Sequence, residues 1–396
     1  MHVLHVTPYF PPTWAYGGIP RIVYGLGKAQ VGAGLRVSVW TTDALNARQR
    51  ATVAPVREFQ GMEVHTSRNL SNTLAYRHQF FAPQGARSVL EGLGHVDLVH
   101  LHGHRHLLNN WALSFAQERS LPVVFTPNGT LPRYERKVGF KWVWDQLIAG
   151  RVPRAADRCV AVAPAEVGHM LAAGISSERI ARIPNGLVLE EFDALPAKGE
   201  FKDAWGIEGP VVAFLGQISP RKGVDHLASA FRDKALGEAT LVVGGNDMGG
   251  MKAAQKSADR GVVFTGLLEG RDRLSLLVDA DVLVYPSSDE IFGLVPFEGL
   301  MCGTPAVVGG DCGCGQLIQE AGAGLLVAHA DIEGLRARIR TLLEDEVASS
   351  AMVTRGRRYV RERLSFESVA RQHVELYSEL VRLPRRSGGE RGREAS

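Results

Sequence analysis

The side chains best suited to chemistry gather in one run, YPSSDEIFGLVPFEGLMCGTPAVVGG, which starts at Tyr285. Its pattern predicts a strand ending at Tyr285, a polar loop, an apolar helix from about Pro296 to Cys302 and, past Gly303-Thr304-Pro305, another strand. That order puts Glu290 in a loop at the C-terminal edge of a sheet, where open α/β sheets bind ligands, and Glu298 about one turn into the helix. Two carboxylates so placed accept hydrogen bonds from neighbouring hydroxyls. Between them Phe292, Gly293 and Leu294 offer backbone N–H groups at a helix N-terminus, a seat for phosphate, and Gly293 has no side chain to hold a ligand off the main chain. Hydroxyls at both ends with an anion between them describe a nucleotide diphosphate sugar.

A cationic element stands earlier in the chain. Gly216-Gln217-Ile218-Ser219-Pro220-Arg221-Lys222-Gly223 follows a strand expected at Val211–Leu215. A lysine beside a glycine turn, just before a helix, can reach a diphosphate and neutralise the charge that grows as a glycosidic bond breaks. Near the start, Gly17 and Gly18 lie between the first strand and a helix opening near Ile19-Pro20, so their amides can approach a phosphate.

Together these residues resemble the retaining glycosyltransferases of the GT-B fold, family GT4. The resemblance rests on the whole run SSDEIFGLVPFEGLMCGTPAVV and reaches from His5-Val6-Thr7-Pro8 to the closing helix. It implies that Glu290 contacts donor-sugar hydroxyls, that Glu298 contacts the ribose, and that Lys222 stabilises the departing diphosphate with the amides near Gly293–Leu294. Glu290 and Lys222 are therefore the catalytic candidates. The donor-binding candidates are Glu298, Arg221, Gly17, Gly18, Gly216, Phe292, Gly293 and Leu294. The family carries an arginine where Gln217 stands, which makes Arg221 the candidate for a second cation. In VVFTPNGTLP, Val123–Pro132, the family often has histidine at Asn128; Asn128, His104 and Arg133 are the candidates for the acceptor side.

The same resemblance implies two Rossmann-like, doubly wound parallel-sheet domains facing a central cleft, with a C-terminal helix crossing back to the first. It implies transfer from a UDP- or GDP-sugar to a hydroxyl of a glycan or lipid-linked acceptor, with retention, as in bacterial-type cell-surface polysaccharide or glycolipid synthesis. No further cofactor and no metal is required. The alternative is a non-catalytic nucleotide-sugar binder of the same fold.

Other signals weigh less. His100, His102, His104 and His106 alternate as metal ligands on a strand would, but Gly103 interrupts the row and no acid lies near; strand-end histidines beside the acceptor are the preferred reading. Asp279-Ala280-Asp281 resembles a metal motif, yet precedes a strand and fits a helix-to-strand turn. Cys312-Gly313-Cys314 lacks the spacing of a redox or zinc pair and reads as a tight turn. Gly25-Leu26-Gly27 lies inside an expected helix, out of context for a nicotinamide site. Residues 133–158 carry seven basic and three acidic residues among Trp142, Trp144, Leu147 and Ile148, which reads either as a surface suited to anionic lipid or as a core-packed helix with a solvated basic face.

The elements that must position these residues recur as short β-rich runs separated by helix-length stretches, the pattern of parallel sheets with crossover helices. Strands are expected near Val3–Val6, Val37–Thr41, Glu63–Thr66, Leu98–Leu101, Val123–Phe125, Arg158–Val162 and Arg182–Ile183. The series resumes at Val211–Leu215, Thr240–Val243, Val262–Thr265, Val282–Tyr285, Ala306–Val308 and Leu325–Val327. The break between them sets an acceptor-side domain at 1–190 and a donor-side domain at 205–365, followed by a helix over 366–383 and a disordered basic tail over 384–396. With 45% hydrophobic and 22% charged residues, the 396-residue chain suits two soluble cores, and a net charge of +3 points away from nucleic acid. The start has no basic segment ahead of its short apolar run, and Pro8, Pro11 and Pro12 interrupt it. The expectation is a cytoplasmic protein, with membrane contact only peripheral, at the inner face of the cytoplasmic membrane.

Overall fold

The computed structural model describes residues 1–13, 18–46, 48–78, 80–131 and 150–383. Gly17, Arg133, most of the basic 133–158 stretch and the 384–396 tail lie outside them. Two compact units emerge: Met1–Gly186 with Phe366–Ser396, and Leu187–Ser365.

The first unit is built on strands β1 (His2–Val6), β2 (Arg36–Thr42), β3 (Val56–Phe59), β4 (Met62–Ser67), β5 (Leu98–His102), β6 (Val123–Thr126), β7 (Arg158–Ala161) and β8 (Ile180–Arg182). They form one sheet in the order β3-β4-β2-β1-β5-β6-β7-β8, parallel except for the antiparallel β3–β4 pair at the edge. The second unit holds β9 (Val211–Leu215), β10 (Thr240–Gly244), β11 (Val262–Gly266), β12 (Val282–Tyr285), β13 (Ala306–Gly309) and β14 (Gly324–Val327), all parallel, in the order β11-β10-β9-β12-β13-β14. Intervening helices make both sheets doubly wound. β1, β9, β12 and β13 are buried at every position, and all but β1, which carries His2 and His5, read as apolar runs because helices cover both faces. Each fully buried Val or Leu, such as Val212 or Leu283, contributes roughly 1.5–3 kcal/mol.

Strand β3 has no counterpart in the sequence expectation. Its residues Val-Arg-Glu-Phe are half-buried or exposed, so it pairs at the edge without an apolar signature. The last strand of the first sheet also begins earlier than expected, at Ile180 rather than Arg182.

Both sheets reverse strand direction of growth in the middle, between β1 and β5 in the first and between β9 and β12 in the second. Such reversals open a crevice at the C-terminal strand ends, where doubly wound sheets bind ligands.

The closing helix, Phe366–Arg382, belongs to the first unit. It is held by fit: a Cβ on Gly25 would lie 2.1 Å from the Phe366 ring, and one on Gly186 would lie 2.5 Å from it. Gly25 therefore serves packing inside the helix Gly18–Gly32. Among the described residues no helix is long and apolar enough to cross a membrane.

Candidate active site

The crevice of the second sheet is lined by the loops that follow β9 and β12. The first rises from Leu215 through Gly216 to the single turn Pro220–Lys222, and Gly223 (φ +63°) then opens the helix Val224–Ala230. The second leaves Tyr285 and enters the helix Val295–Cys302 through Phe292, Gly293 and Leu294, with Leu294 as N-cap. The two loops are laced together, since Ser288 N donates to Arg221 O at 2.9 Å.

This lacing brings Lys222 and Glu290 into contact. The Lys222 ammonium donates to Glu290 Oε2 and, at 2.5 Å, to the Tyr285 hydroxyl, which in turn donates to the same Glu290 oxygen at 2.9 Å. Lys222 Nζ also stands 4.5 Å over the Tyr285 ring. The side chains of Lys222 and Glu290 are 12% and 23% exposed, so the pair is shielded yet reachable. Tyr285 is buried, and desolvation followed by the Glu290 charge holds its phenol well above the ordinary range; it remains a donor at neutral pH. Its ring stacks on Phe214 and rests on Gly293, where a Cβ would come within 2.7 Å. Glycine is required at 293 by this packing.

Other backbone contacts fix the loops. Gly313 N donates to Glu290 O at 2.8 Å, and Cys312 caps the helix Gly313–Ala321 by accepting from Gly315 N at 3.4 Å. Cys312-Gly313-Cys314, expected as a tight turn, is instead the N-cap and first residues of that helix, and it holds the Glu290 loop in place. Beneath Gly216, Gly245 (φ +152°) approaches so closely that a Cβ there would lie 1.7 Å from Gly216 O. Arg221 reaches Asp289 O at 3.4 Å. Gln217 is exposed.

Glu298 is buried on its helix and meets a cation the sequence reading missed. Arg273 Nη1 lies 2.6 Å from Glu298 Oε2, and Arg273 Nη2 lies 2.6 Å from Glu191 Oε2. Burial works against the Arg273 charge, but the two glutamates outweigh it and its pKa is raised. Neither local spacing nor helix periodicity relates Arg273 to Glu298 or Glu191; tertiary packing makes the contact.

The crevice of the first sheet is filled differently. His100 and His102 do alternate on β5, but both are buried and do not line a surface; Gly103 (φ +74°) then turns the chain and ends the row before His104. With Gln30 Oε1 accepting from His5 Nε2 (2.7 Å), the hydrogen bonds run in one sense: His102 Nε2 donates to His5 Nδ1 (2.9 Å), Gln30 Nε2 to the Tyr377 hydroxyl (3.3 Å), Tyr377 to His100 Nδ1 (2.6 Å), and His100 Nε2 to Thr126 Oγ1 (2.7 Å). Desolvation brings His5, His106 and His373 down to about 4 and places His100 and His102 well below the usual range, so the rings are neutral at pH 7.

One ring nitrogen from each of His5, His100 and His102 falls within 4.8 Å of the others, a spacing a metal could bridge. The network already engages every nitrogen of the three except His102 Nδ1. Tyr377, on the closing helix, is the partner no local pattern could reveal.

Asn128 adopts φ +51° in the turn after β6; its Nδ2 donates to Thr126 O at 3.4 Å, while Oδ1 is buried without a partner among the described residues. Glu166 anchors that turn, accepting from Gly129 N at 2.6 Å and Val162 N at 2.8 Å; burial lifts its pKa to about 7. His104 lies 5.8 Å from the Phe125 ring, centroid to centroid. Gly18 begins the helix after the first loop.

Asp279 and Asp281 are spent on backbone. Asp279 accepts from Gly199, Phe201 and Lys202 N, capping the helix Glu200–Trp205, and Asp281 accepts from Val211 N at 2.7 Å. Of the basic stretch, Arg151 is tied to Gln117 at 2.6 Å.

Two doubly wound, mainly parallel sheets, one with a Lys–Glu–Tyr cluster at its reversal, make up the GT-B fold. The solved Anabaena HepE in complex with UDP and glucose superposes on the chain with a TM-score of 0.74 at 18% identity, covering 96% of this chain and 100% of that one. Residues 198–359 match the family described as "Glycosyl transferases group 1" and residues 16–191 match "Glycosyltransferase Family 4". The chain belongs to these glycosyltransferases. Among curated relatives, a D-inositol 3-phosphate glycosyltransferase of Salinispora tropica is 29% identical over 73% of this chain, and a GDP-mannose-dependent alpha-mannosyltransferase of Mycobacterium tuberculosis is 28% identical over 60% of it. Those matches span 65% and 61% of the relatives' own lengths.

Proposed function

We propose that the chain transfers a sugar from a UDP- or GDP-sugar to an acceptor hydroxyl with retention of anomeric configuration. The observation that carries this reading is the Lys222–Glu290–Tyr285 cluster at the reversal of the second sheet. Lys222 meets the growing negative charge on the diphosphate as the glycosidic bond breaks, assisted by the amides near Gly293–Leu294 and by Arg221. Glu290, released from Lys222 when phosphate arrives, accepts hydrogen bonds from donor-sugar hydroxyls. Tyr285 stays protonated and orients that carboxylate. Glu298 accepts from the ribose. The acceptor hydroxyl attacks from the face the diphosphate leaves and gives its proton to the leaving phosphate.

On the first unit, Asn128, His104 and Gly18, with Gly17 and Arg133, are the proposed contributors to acceptor and phosphate binding. The unpartnered Asn128 Oδ1 favours a hydrogen-bond donor on the ligand. Relatives named for GDP-mannose and for inositol 3-phosphate, and a neighbour holding UDP and glucose, support a nucleotide-sugar donor and leave its base to measurement. A glycan or lipid-linked acceptor at an anionic membrane surface is the proposed setting.

A thermal-shift screen of UDP-, GDP- and ADP-sugars, followed by detection of donor hydrolysis or transfer, tests the reading. One class should stabilise the protein by about 2.7 kcal/mol at a hundredfold excess over its Kd. No shift with any donor overturns the assignment; a shift with no turnover across an acceptor panel leaves a nucleotide-sugar binder instead.

A further inference from the structure

Glu298 is anchored through one oxygen only. Arg273 stands 2.6 Å from Oε2, and Oε1 accepts no hydrogen bond among the described residues. A purely structural arginine–carboxylate pair gains most by engaging both oxygens in parallel. Here the guanidinium divides its nitrogens, one to Glu298 and one to Glu191, so it is fixed at both ends and satisfies neither carboxylate fully. Three elements meet at it: the turn Leu189–Phe192, the helix Gly270–Asp279 and the helix Val295–Cys302. The Arg273 and Glu298 side chains are 14% and 12% exposed, so water screens the pair weakly.

We propose that Arg273 is a positioning residue for the nucleotide ribose, holding Glu298 by Oε2 so that Oε1 is the oxygen presented to the ribose hydroxyls, with Glu191 bracing Arg273 from behind. The proposal rests on the donor-site reading of Glu298. A long carboxylate side chain swings freely about its last torsion. Pinning one oxygen to a fixed cation removes that freedom before the nucleotide arrives, and the ribose contact no longer bears its ordering cost. Because Arg273 is shared between two anions, it orients Glu298 while leaving negative charge for a hydroxyl donor.

The test compares nucleotides that differ only at the ribose. Affinities of UDP and GDP, and of their 2′-deoxy and 3′-deoxy forms, are measured by calorimetry for the wild-type chain, Arg273→Met and Arg273→Lys. The expectation is that the wild type prefers a ribonucleotide over at least one deoxy form, and that Arg273→Met loses roughly tenfold for the ribonucleotide but little for that deoxy form. At saturating donor kcat should hold while KM rises. Arg273→Lys, which keeps a point charge, should recover part of the discrimination; it also supplies the readout if Arg273→Met unfolds.

Equal weakening of ribo and deoxy forms, or none, overturns the positioning role while the donor site stands. A wild type that binds no nucleoside diphosphate at all overturns the donor-site reading and this proposal with it.

Discussion

The two sheets reverse at the same kind of place and fill it with opposite chemistry. Between β1 and β5 the crevice is packed with the neutral imidazoles of His5, His100 and His102, whose nitrogens, all but His102 Nδ1, are engaged by Gln30, Tyr377, Thr126 and one another. Between β9 and β12 it holds a formal cation and anion that are only partly covered and pair with each other. Desolvation decides the difference. A buried polar group is stable when its partners are internal, so the histidines have surrendered their charge. Lys222 and Glu290 keep theirs because each is the other's counter-ion, an arrangement an incoming diphosphate and sugar can exchange for better partners. One reversal point fixes structure and the other is available for chemistry.

The sharpest way to break this contrast is to remove the charges. Lys222→Ala or Glu290→Ala should lower turnover by about a hundredfold to a thousandfold or more, the scale for losing one preorganised group aimed at developing charge. The fold should persist, because the pair lies at loop ends outside the hydrophobic cores; the charge left without its partner lowers the melting temperature without unfolding the protein at assay temperature. Initial rates with the donor found by the screen, alongside thermal unfolding, check it; near-normal turnover in either variant removes that residue from the catalytic role.

Acid should act on the other crevice. His5, His106 and His373 are pulled from 6.5 to about 4, so in the fold they stay neutral while the unfolded chain takes up protons. Their contribution is intact above pH 6.5 and lost progressively as pH falls toward 4. Within that window each costs about 1.4 kcal/mol per pH unit, and His100 and His102 act in the same direction. Glu166 opposes them: raised from 4.5 to about 7, it gains a proton in the fold first and stabilises as pH falls between those values. One carboxyl cannot offset several imidazoles, so chemical denaturation at pH 7 and 5 should show a net loss at the lower pH. Flat stability across that range breaks the picture of a charge-free network.

Much of this contrast was legible in the sequence, but unevenly. The central strands β9, β12 and β13 of the second sheet could be read because they are buried throughout and almost wholly apolar. Edge strand β3 could not, since its exposed positions are Val56 and Glu58, the reverse of an apolar-in, polar-out alternation, and only pairing with β4 makes it a strand. Glu290, Glu298 and Lys222 stood out because their loops and helix start are local features. Tyr285 lay in full view within the same run, yet its hydroxyl acquires meaning only where Lys222 is brought against it. Arg273, Gln30 and Tyr377 carry no local sign at all: their partners lie far along the chain, and a lone Arg, Gln or Tyr on a helix is ordinary. The histidine row misled for a related reason, because alternation on a strand says which residues share a face but not whether a helix covers it.

Tyr377→Phe sharpens the structural side. It deletes the hydroxyl that links Gln30 to His100 while keeping the ring, leaving buried polar atoms unpaired at a cost of roughly 1–3 kcal/mol. Turnover per folded molecule should not change. Urea unfolding with parallel rate measurements separates the two; a rate loss at unchanged stability would bring the network into the catalytic machinery.

The smallest expected effect is the most discriminating, because Tyr285 shares features of both crevices. It is buried and stacked on Phe214 like a core residue, yet its hydroxyl accepts from Lys222 and donates to Glu290. In Tyr285→Phe the ring, its stack and its seat on Gly293 remain, so the fold should persist. Lys222 and Glu290 keep each other as partners, so no charge is stranded, and the loss should stay near one charge-assisted hydrogen bond. Turnover should therefore fall about tenfold, far less than in Lys222→Ala, with donor affinity moving little, because the hydroxyl orients Glu290 without replacing it. A stability loss as large as that of Tyr377→Phe with unchanged turnover would assign Tyr285 to the core. A rate loss matching that of Glu290→Ala would mean that the phenol does more than orient the carboxylate.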